Sequence, residues 1–184
     1  DTGTHRHVQW YFDNLLPEEG QRLLLAGDAK IDSADAFGLL GYYGSESAGS
    51  ITLVTPDQFA QRTVERGLQP LPDENLSQRI QAMPAVPLAH TSKKKMSLAG
   101  AQHKLAINYK NDGIYEPVGE TPSTHILKPN HPDNDYAHSV INEYFVMRLA
   151  KTLGLDVPSV YRRYVPEPVY LIERFDRKEN VGTY

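Results

Sequence analysis

Between Lys104 and Phe175 the hydrophobic period of the sequence changes twice, and those changes restrict what the chain can fold into. Lys104 to Tyr109 alternates toward Asn111-Asp112-Gly113. The two central turn positions tolerate positive φ, so a hairpin is expected, with Ile114 to Val118 as the returning strand. Thr124-His125-Ile126-Leu127-Lys128 reads as a short strand halted by Pro129. The period then becomes helical. Val140, Ile141, Tyr144, Phe145, Leu149 and Leu153 share one face, and Gly154 sits where a C-terminal stop belongs. Ser159 to Val165 and Val169 to Phe175 follow as two strands around Pro166 and Pro168. Hairpin, strand, helix and two strands predict an α+β fold with an antiparallel sheet and one helix.

The first third reads mainly as helix. Trp10-Tyr11-Phe12-Asp13-Asn14-Leu15-Leu16-Pro17 is an aromatic cluster with an Asp-Asn helix cap, to which a packing role is assigned. Pro17-Glu18-Glu19 opens a helix whose apolar face is Leu23, Leu24 and Leu25. A second helix starts near Asp32-Ser33 and Asp35 and carries Phe37, Leu39 and Leu40. Ser50 to Val54 alternates with β-branched residues and reads as a strand stopped by Pro56. Asp73-Glu74-Asn75-Leu76 starts a short helix ended by Pro84 and Pro87. Met83 to Lys95, with two prolines and three consecutive lysines, is the best boundary, giving units at 1–90 and 91–184. The chain opens at Asp1 and closes at Tyr184 after a polar run, so both ends read as cut and a fragment is expected.

Composition narrows the function classes. With 40% hydrophobic and 23% charged residues over 184 positions, a real core is expected and disorder is not. A formal net charge of −4 gives no field favouring a polyanion, so nucleic-acid binding is not expected. The absence of cysteine excludes disulfides and thiolate metal sites. No apolar run approaches the roughly 20 residues of a membrane span. The seven histidines show no metal-ligand spacing, so no metal site is expected.

Three motifs carry possible chemistry. Ser97-Leu98-Ala99-Gly100-Ala101-Gln102 with Lys104 precedes a strand, and small residues there would let main-chain amides approach a polyphosphate. A single glycine among alanines is more often a tight turn, and a triplet such as Lys93 to Lys95 is more often a solvated face. Lys128 ends a strand and Glu143, fifteen positions on, lies on the strong helix. In kinases such a lysine meets nucleotide phosphates and such a glutamate holds it. An ordinary surface pair is the alternative. Tyr170-Leu171-Ile172-Glu173-Arg174-Phe175-Asp176-Arg177 is an apolar strand running into charge, either a nucleotide hinge or a buried strand ending in a loop.

In this order, the motifs resemble the HipA family of serine/threonine kinases, toxins of bacterial toxin–antitoxin pairs. Tyr11 to Pro17 resembles its Phe-Asp-Asn-Leu-Leu-Pro signature, Ser97 to Lys104 its Ser-Val-Ala-Gly-Ala-Gln-x-Lys loop, and Thr124 to Lys128 its Thr-His-Ile-x-Lys strand. Asn142-Glu143-Tyr144 resembles its helix and Glu173 to Arg177 its Glu-Arg-Phe-Asp-Arg hinge. The resemblance implies a kinase-like small lobe behind a small, mostly helical subdomain, in a cytoplasmic protein. Gly100, Ala101 and Gln102 would lie on the phosphate side, and Lys128, positioned by Glu143, would touch ATP phosphates. Glu173 and Phe175 would meet adenine through main-chain groups and Asp176 the ribose, while Ser97 matches the autophosphorylated serine. A phosphate on Ser97 would add about −1.5 to −2 charges and could expel the loop from its site. Expected partners are a HipB-like DNA-binding antitoxin and a protein substrate such as an aminoacyl-tRNA synthetase.

The family's catalytic aspartate and Mg²⁺ ligands, near an Asp-Gly-His-x-x-Asn run, find no counterpart in this sequence. The resemblance implies ATP with Mg²⁺ as cofactor, the Mg²⁺ ligands being expected in the missing carboxy-terminal lobe, and no phosphotransfer is therefore expected from this polypeptide alone. A non-catalytic interaction fragment and an unrelated α+β enzyme with its own phosphate loop are the competing readings.

Overall fold

The computed structural model describes residues 9–43, 53–60, 65–83, 85, 86, 88, 102–119 and 121–177. Helices α1 (Gln9–Asp13), α2 (Glu19–Ala29) and α3 (Ala36–Tyr43) form a small helical unit. Its core is Leu16, Ala26, Ala36, Leu39, Leu40 and Tyr43, with Phe12 and Leu15 packed against it. Asp13 does not cap the following helix. It closes α1, and its carboxylate meets the Arg22 guanidinium of α2 at 2.7 Å. The aromatic cluster splits as well, because Phe12 turns inward while Trp10 stays 70% exposed.

Leu53 and Val54, the described end of the strand expected at 50–54, form no strand, and Leu53 packs on the helical core instead. No described strand offers this stretch a ladder partner. Pro56 begins a helix, α4 (Pro56–Ala60), rather than stopping a strand, as a proline suits a first helical turn.

The remainder is a six-stranded sheet ordered β1-β3-β2-β4-β6-β5, comprising β1 (Arg66–Pro70), β2 (Leu105–Lys110), β3 (Gly113–Gly119), β4 (His125–Pro129), β5 (Val160–Tyr164) and β6 (Pro168–Glu173). Every neighbouring pair is antiparallel. The β2–β3 turn has Asn111 at φ 50° and Asp112 at φ 58°, the positive-φ pair its sequence favours. Helix α5 (Asp73–Gln81) precedes the hairpin, and α6 (Ser139–Thr152) links β4 to β5.

Successive residues of a strand point to opposite faces, and paired residues share one. One face carries Leu105, Leu127 and Leu171 in a row, because Leu105 pairs with Leu127 and Leu127 with Leu171. With Ile107, Ile114 and Val169, these pack against Leu71, Leu76 and Leu88 as the main core. Arg79 of α5 forks onto Glu116 of β3 at 2.9 and 3.0 Å, tying that helix to the sheet. Leu71 and Leu76, which precede the linker read from the sequence, and Leu88 within it thus belong to the core of the sheet.

Two glycines have positive φ at element ends, Gly119 at 56° and Gly154 at 84°. A Cβ at Gly119 would lie 2.1 Å from the Glu65 carbonyl oxygen, whereas one at Gly154 meets nothing within 4 Å. Left-handed backbone costs an L-residue about 1–2 kcal/mol. Gly154→Ala is expected to cost that alone. Gly119→Ala is expected to cost at least about twice as much, since main chain must move. Urea unfolding midpoints of the two variants check the ranking.

Candidate functional site

The opposite face of the sheet holds the sequence-predicted site. Ala106, Ile126, Ile172 and Val160 form an apolar row across β2, β4, β6 and β5. Two residues along, Lys128, Tyr170 and Arg162 form a second, polar row, about 7 Å away at the strand rise. Helix α6 packs over β5 and β6 and reaches β4. Its Tyr144 ring lies 5.5 Å from the Arg162 guanidinium.

Lys128 and Glu143 meet as the spacing predicted: Nζ donates to Glu143 Oε2 at 2.6 Å. Their side chains are 23% and 29% exposed, so the pair is sheltered yet open to a ligand. Local bonds fix the connection between them. Asn130 Oδ1 accepts the Val140 main-chain N–H at 3.0 Å, and Ser139 Oγ accepts that of His131 at 2.8 Å. The first supplies a partner to an amide that a helix start leaves orphaned. The strand bearing the lysine and the helix bearing the glutamate are stapled at their junction.

Lys104, the lysine of the small-residue motif, lies near this pair, and Tyr170 joins it without having been assigned a role there, although the strand alternation that places Tyr170 opposite Lys128 is readable. The Lys128 ammonium is 5.8 Å from the centroid of the buried Tyr170 ring. Burial, and then the Glu143 carboxylate, push the Tyr170 hydroxyl well above its usual range, so it stays neutral. Burial also lowers the Lys104 ammonium; the Lys128 charge lowers it further, while Glu143 and Glu18 oppose the change. Two amines with two carboxylates nearby make this end of the face polar and close to electroneutral.

Gln102, from the small-residue motif, sends Nε2 to the Pro129 carbonyl at 3.4 Å, at the end of the strand that carries Lys128. Ser97, Gly100 and Ala101 lie outside the described residues. Glu173 ends β6, three residues beyond Tyr170 and so about 10 Å along the strand from the polar row. The ladder stops there, with Glu173 N–H on the Ser159 carbonyl and Arg174 N–H on the Thr124 carbonyl, both at 2.9 Å. Phe175 follows in a turn, 87% exposed. Asp176 is held by the Arg174 guanidinium in a two-pronged pair of 3.0 and 2.6 Å, which keeps its carboxyl below the usual carboxylate range. Arg174, which carries the predicted hinge physically, was not singled out by the sequence.

A family model described as the HipA N-terminal domain matches residues 1–54, and one described as the HipA-like C-terminal domain matches residues 96–183. The chain belongs to the HipA family. The serine/threonine-protein kinase toxin HipA of Shewanella oneidensis is 33% identical over 186 residues, covering 98% of this chain and 41% of the relative. The Sinorhizobium fredii protein Y4mE, which carries a kinase name, is 36% identical over 184 residues, covering 95% of this chain and 42% of its own length. A chain in the solved complex of the Shewanella oneidensis MR-1 toxin–antitoxin system, HipA, HipB and operator DNA, superposes with a TM-score of 0.77. That match has 31% identity and covers 100% of this chain and 42% of the solved one. The chain thus spans about two fifths of these HipA-type relatives, and its fold is the α+β, kinase-like fold of the family. Among the described residues, no helix is long and apolar enough to cross a membrane.

Proposed function

We propose that this chain is the ATP-binding portion of a HipA-type serine/threonine kinase toxin. One observation carries the reading: the strand lysine and the helix glutamate are in contact at 2.6 Å on a ligand-accessible face. Adenine lies over the apolar row of Ala106, Ile126 and Ile172, near main-chain groups of Glu173 and Phe175. The α- and β-phosphates reach Lys128, which Glu143 orients and Lys104 supplements. Gly100, Ala101 and Gln102 close the phosphate side, and Ser97 is the residue modified when the kinase silences itself. Mg²⁺ supplies charge neutralisation between phosphates when it accompanies ATP. The described residues contain no group of three His, Asp or Glu side chains able to hold it. A cytoplasmic HipB-like antitoxin partner and an aminoacyl-tRNA synthetase substrate belong to the same reading, as does the absence of phosphotransfer by this chain alone.

The test is nucleotide binding by the chain and its Lys128→Met variant, followed with a fluorescent ATP analogue. A hydrogen bond to a charged group contributes about 1.5–3 kcal/mol, so the variant is expected to bind about 10- to 100-fold more weakly. Stability should change by less than about 1 kcal/mol, because the pair is partly solvated. Unchanged affinity contradicts the reading.

A second reading, a non-catalytic interaction fragment, is favoured by one feature. Ile141, Phe145, Val146 and Leu149 on α6, with Leu153 just past its end, are 44–70% exposed, a large apolar face for an unaccompanied domain. A fragment that binds no nucleotide and captures a HipB-like protein would support it.

A further inference from the structure

We infer that Arg174, with Asp176 as its counter-charge, positions the hinge main chain for the base. Asp176 thereby acts on the ligand through Arg174 and not by touching the sugar. The inference rests on the nucleotide reading and deepens it.

Arg174 is 5% exposed, although it sits in the charged stretch after β6. A buried guanidinium needs its donors satisfied, and here three of its nitrogens are engaged. Nε and Nη2 fork onto the two Asp176 oxygens at 3.0 and 2.6 Å. Nη1 donates to Ser123 Oγ at 2.8 Å, and Ser123 is fully buried. The main chain of the same residue donates to Thr124 O, and Arg177 N–H closes back on the Arg174 carbonyl at 3.4 Å. One side chain therefore binds the turn after β6 to the start of β4, the strand that carries Lys128.

That arrangement has a consequence for recognition. Residues 173–175 are what remains at the sheet end to meet a base, and a turn has many main-chain orientations unless something outside it selects one. The Arg174 fork selects it from within the turn, and Ser123 anchors the fork to the sheet. Both Asp176 oxygens face the guanidinium. Planar, two-pronged geometry is available to arginine and not to lysine, so charge alone does not substitute for it.

The experiment measures binding of adenine, adenosine, ATP and GTP to the 184-residue chain and to Asp176→Asn, Arg174→Lys and Ser123→Ala. Amide NMR spectra verify the fold of each. Asp176→Asn and Arg174→Lys are expected to weaken adenine, adenosine and ATP by one common factor of about tenfold, as loss of a charge-assisted bond implies. They should also reduce the preference for ATP over GTP, which general loosening of the domain would leave in place. Ser123→Ala, the mildest change, should give the same pattern at about two- to fivefold, and so decides the matter if either charged variant fails to fold. If Asp176→Asn weakens adenosine and ATP but leaves adenine unaffected, the carboxylate touches the sugar and the inference is overturned. Unaltered base preference in all three variants overturns it too. A wild-type chain that binds none of the four ligands overturns the nucleotide reading beneath it, a result distinguishable from either of those.

Discussion

Leu127→Ala is expected to destabilise the chain by about 3–5 kcal/mol, the range for large-to-small changes at sites with no room to collapse. Leu127 is fully buried and occupies the centre of the core row between Leu105 and Leu171. The same core holds Leu71, Leu88 and, from α5, Leu76, and Leu76 cannot follow a retreating side chain without moving that helix. The loss is a large share of the roughly 5–15 kcal/mol that holds a domain folded. The melting temperature should fall by roughly 6–20 °C. The next residue is Lys128, on the other face, so this variant also loosens the strand that presents the lysine. A drop below about 1 kcal/mol in a urea titration would mean that the core row is not packed as described.

The second large effect is a pH dependence located at His103. This residue is 2% exposed, and its Nε2 lies 2.6 Å from the Gln21 amide nitrogen of α2, joining the helical unit to the sheet. An amide nitrogen only donates, so Nε2 is assigned as the acceptor and the ring proton to Nδ1. Burial first, and the nearby His131 second, push the imidazole from about 6.5 down to about 4. A depressed folded-state value means that the contribution is complete above pH 6.5. It is lost as pH falls, because the unfolded chain takes up the proton first. A shift of that size corresponds to about 3 kcal/mol between pH 6.5 and 4. Protonation would also turn Nε2–H toward the Gln21 donor. Unfolding midpoints at pH 7, 6 and 5 should converge for wild type and His103→Leu as the pH falls. His125, also lowered by burial, accounts for part of the slope that remains. Gln21→Glu should retain stability in acid, since a carboxylate favours the imidazolium. Parallel slopes for wild type and His103→Leu would contradict the assignment.

Much of this molecule was legible because its determinants are local. The Asn111-Asp112 turn, the α6 periodicity and the Lys128–Glu143 spacing are each decided by neighbours in sequence, and each appears where the sequence placed it. Strand β1 was not legible. Arg66-Gly-Leu-Gln-Pro70 lacks alternation and is largely exposed, and it is a strand only because β3 offers it an edge. Helix α4 carried a readable signal, Thr55-Pro56-Asp57, but Pro56 also ends strands, and the preceding β-branched run favoured that reading. In the site, Lys128 and Glu143 were found through element type and spacing. Arg174 was hidden because burying an arginine depends on Ser123 and Asp176 meeting in space. The apolar row of Ala106, Ile126 and Ile172 was hidden for a related reason, since register across three strands is a property of the sheet.

The central claim is that one face of this sheet is a nucleotide cleft with Lys128 at its phosphate end and residues 173–175 at its base end. Titrating ATP into the isotopically labelled chain and following backbone amides by NMR tests it directly. The account predicts the largest shifts at Gln102 to Lys104, Ile126 to Lys128 and Glu173 to Phe175, with α5 unmoved. Shifts confined to α5, or a spectrum indifferent to saturating ATP, would contradict it.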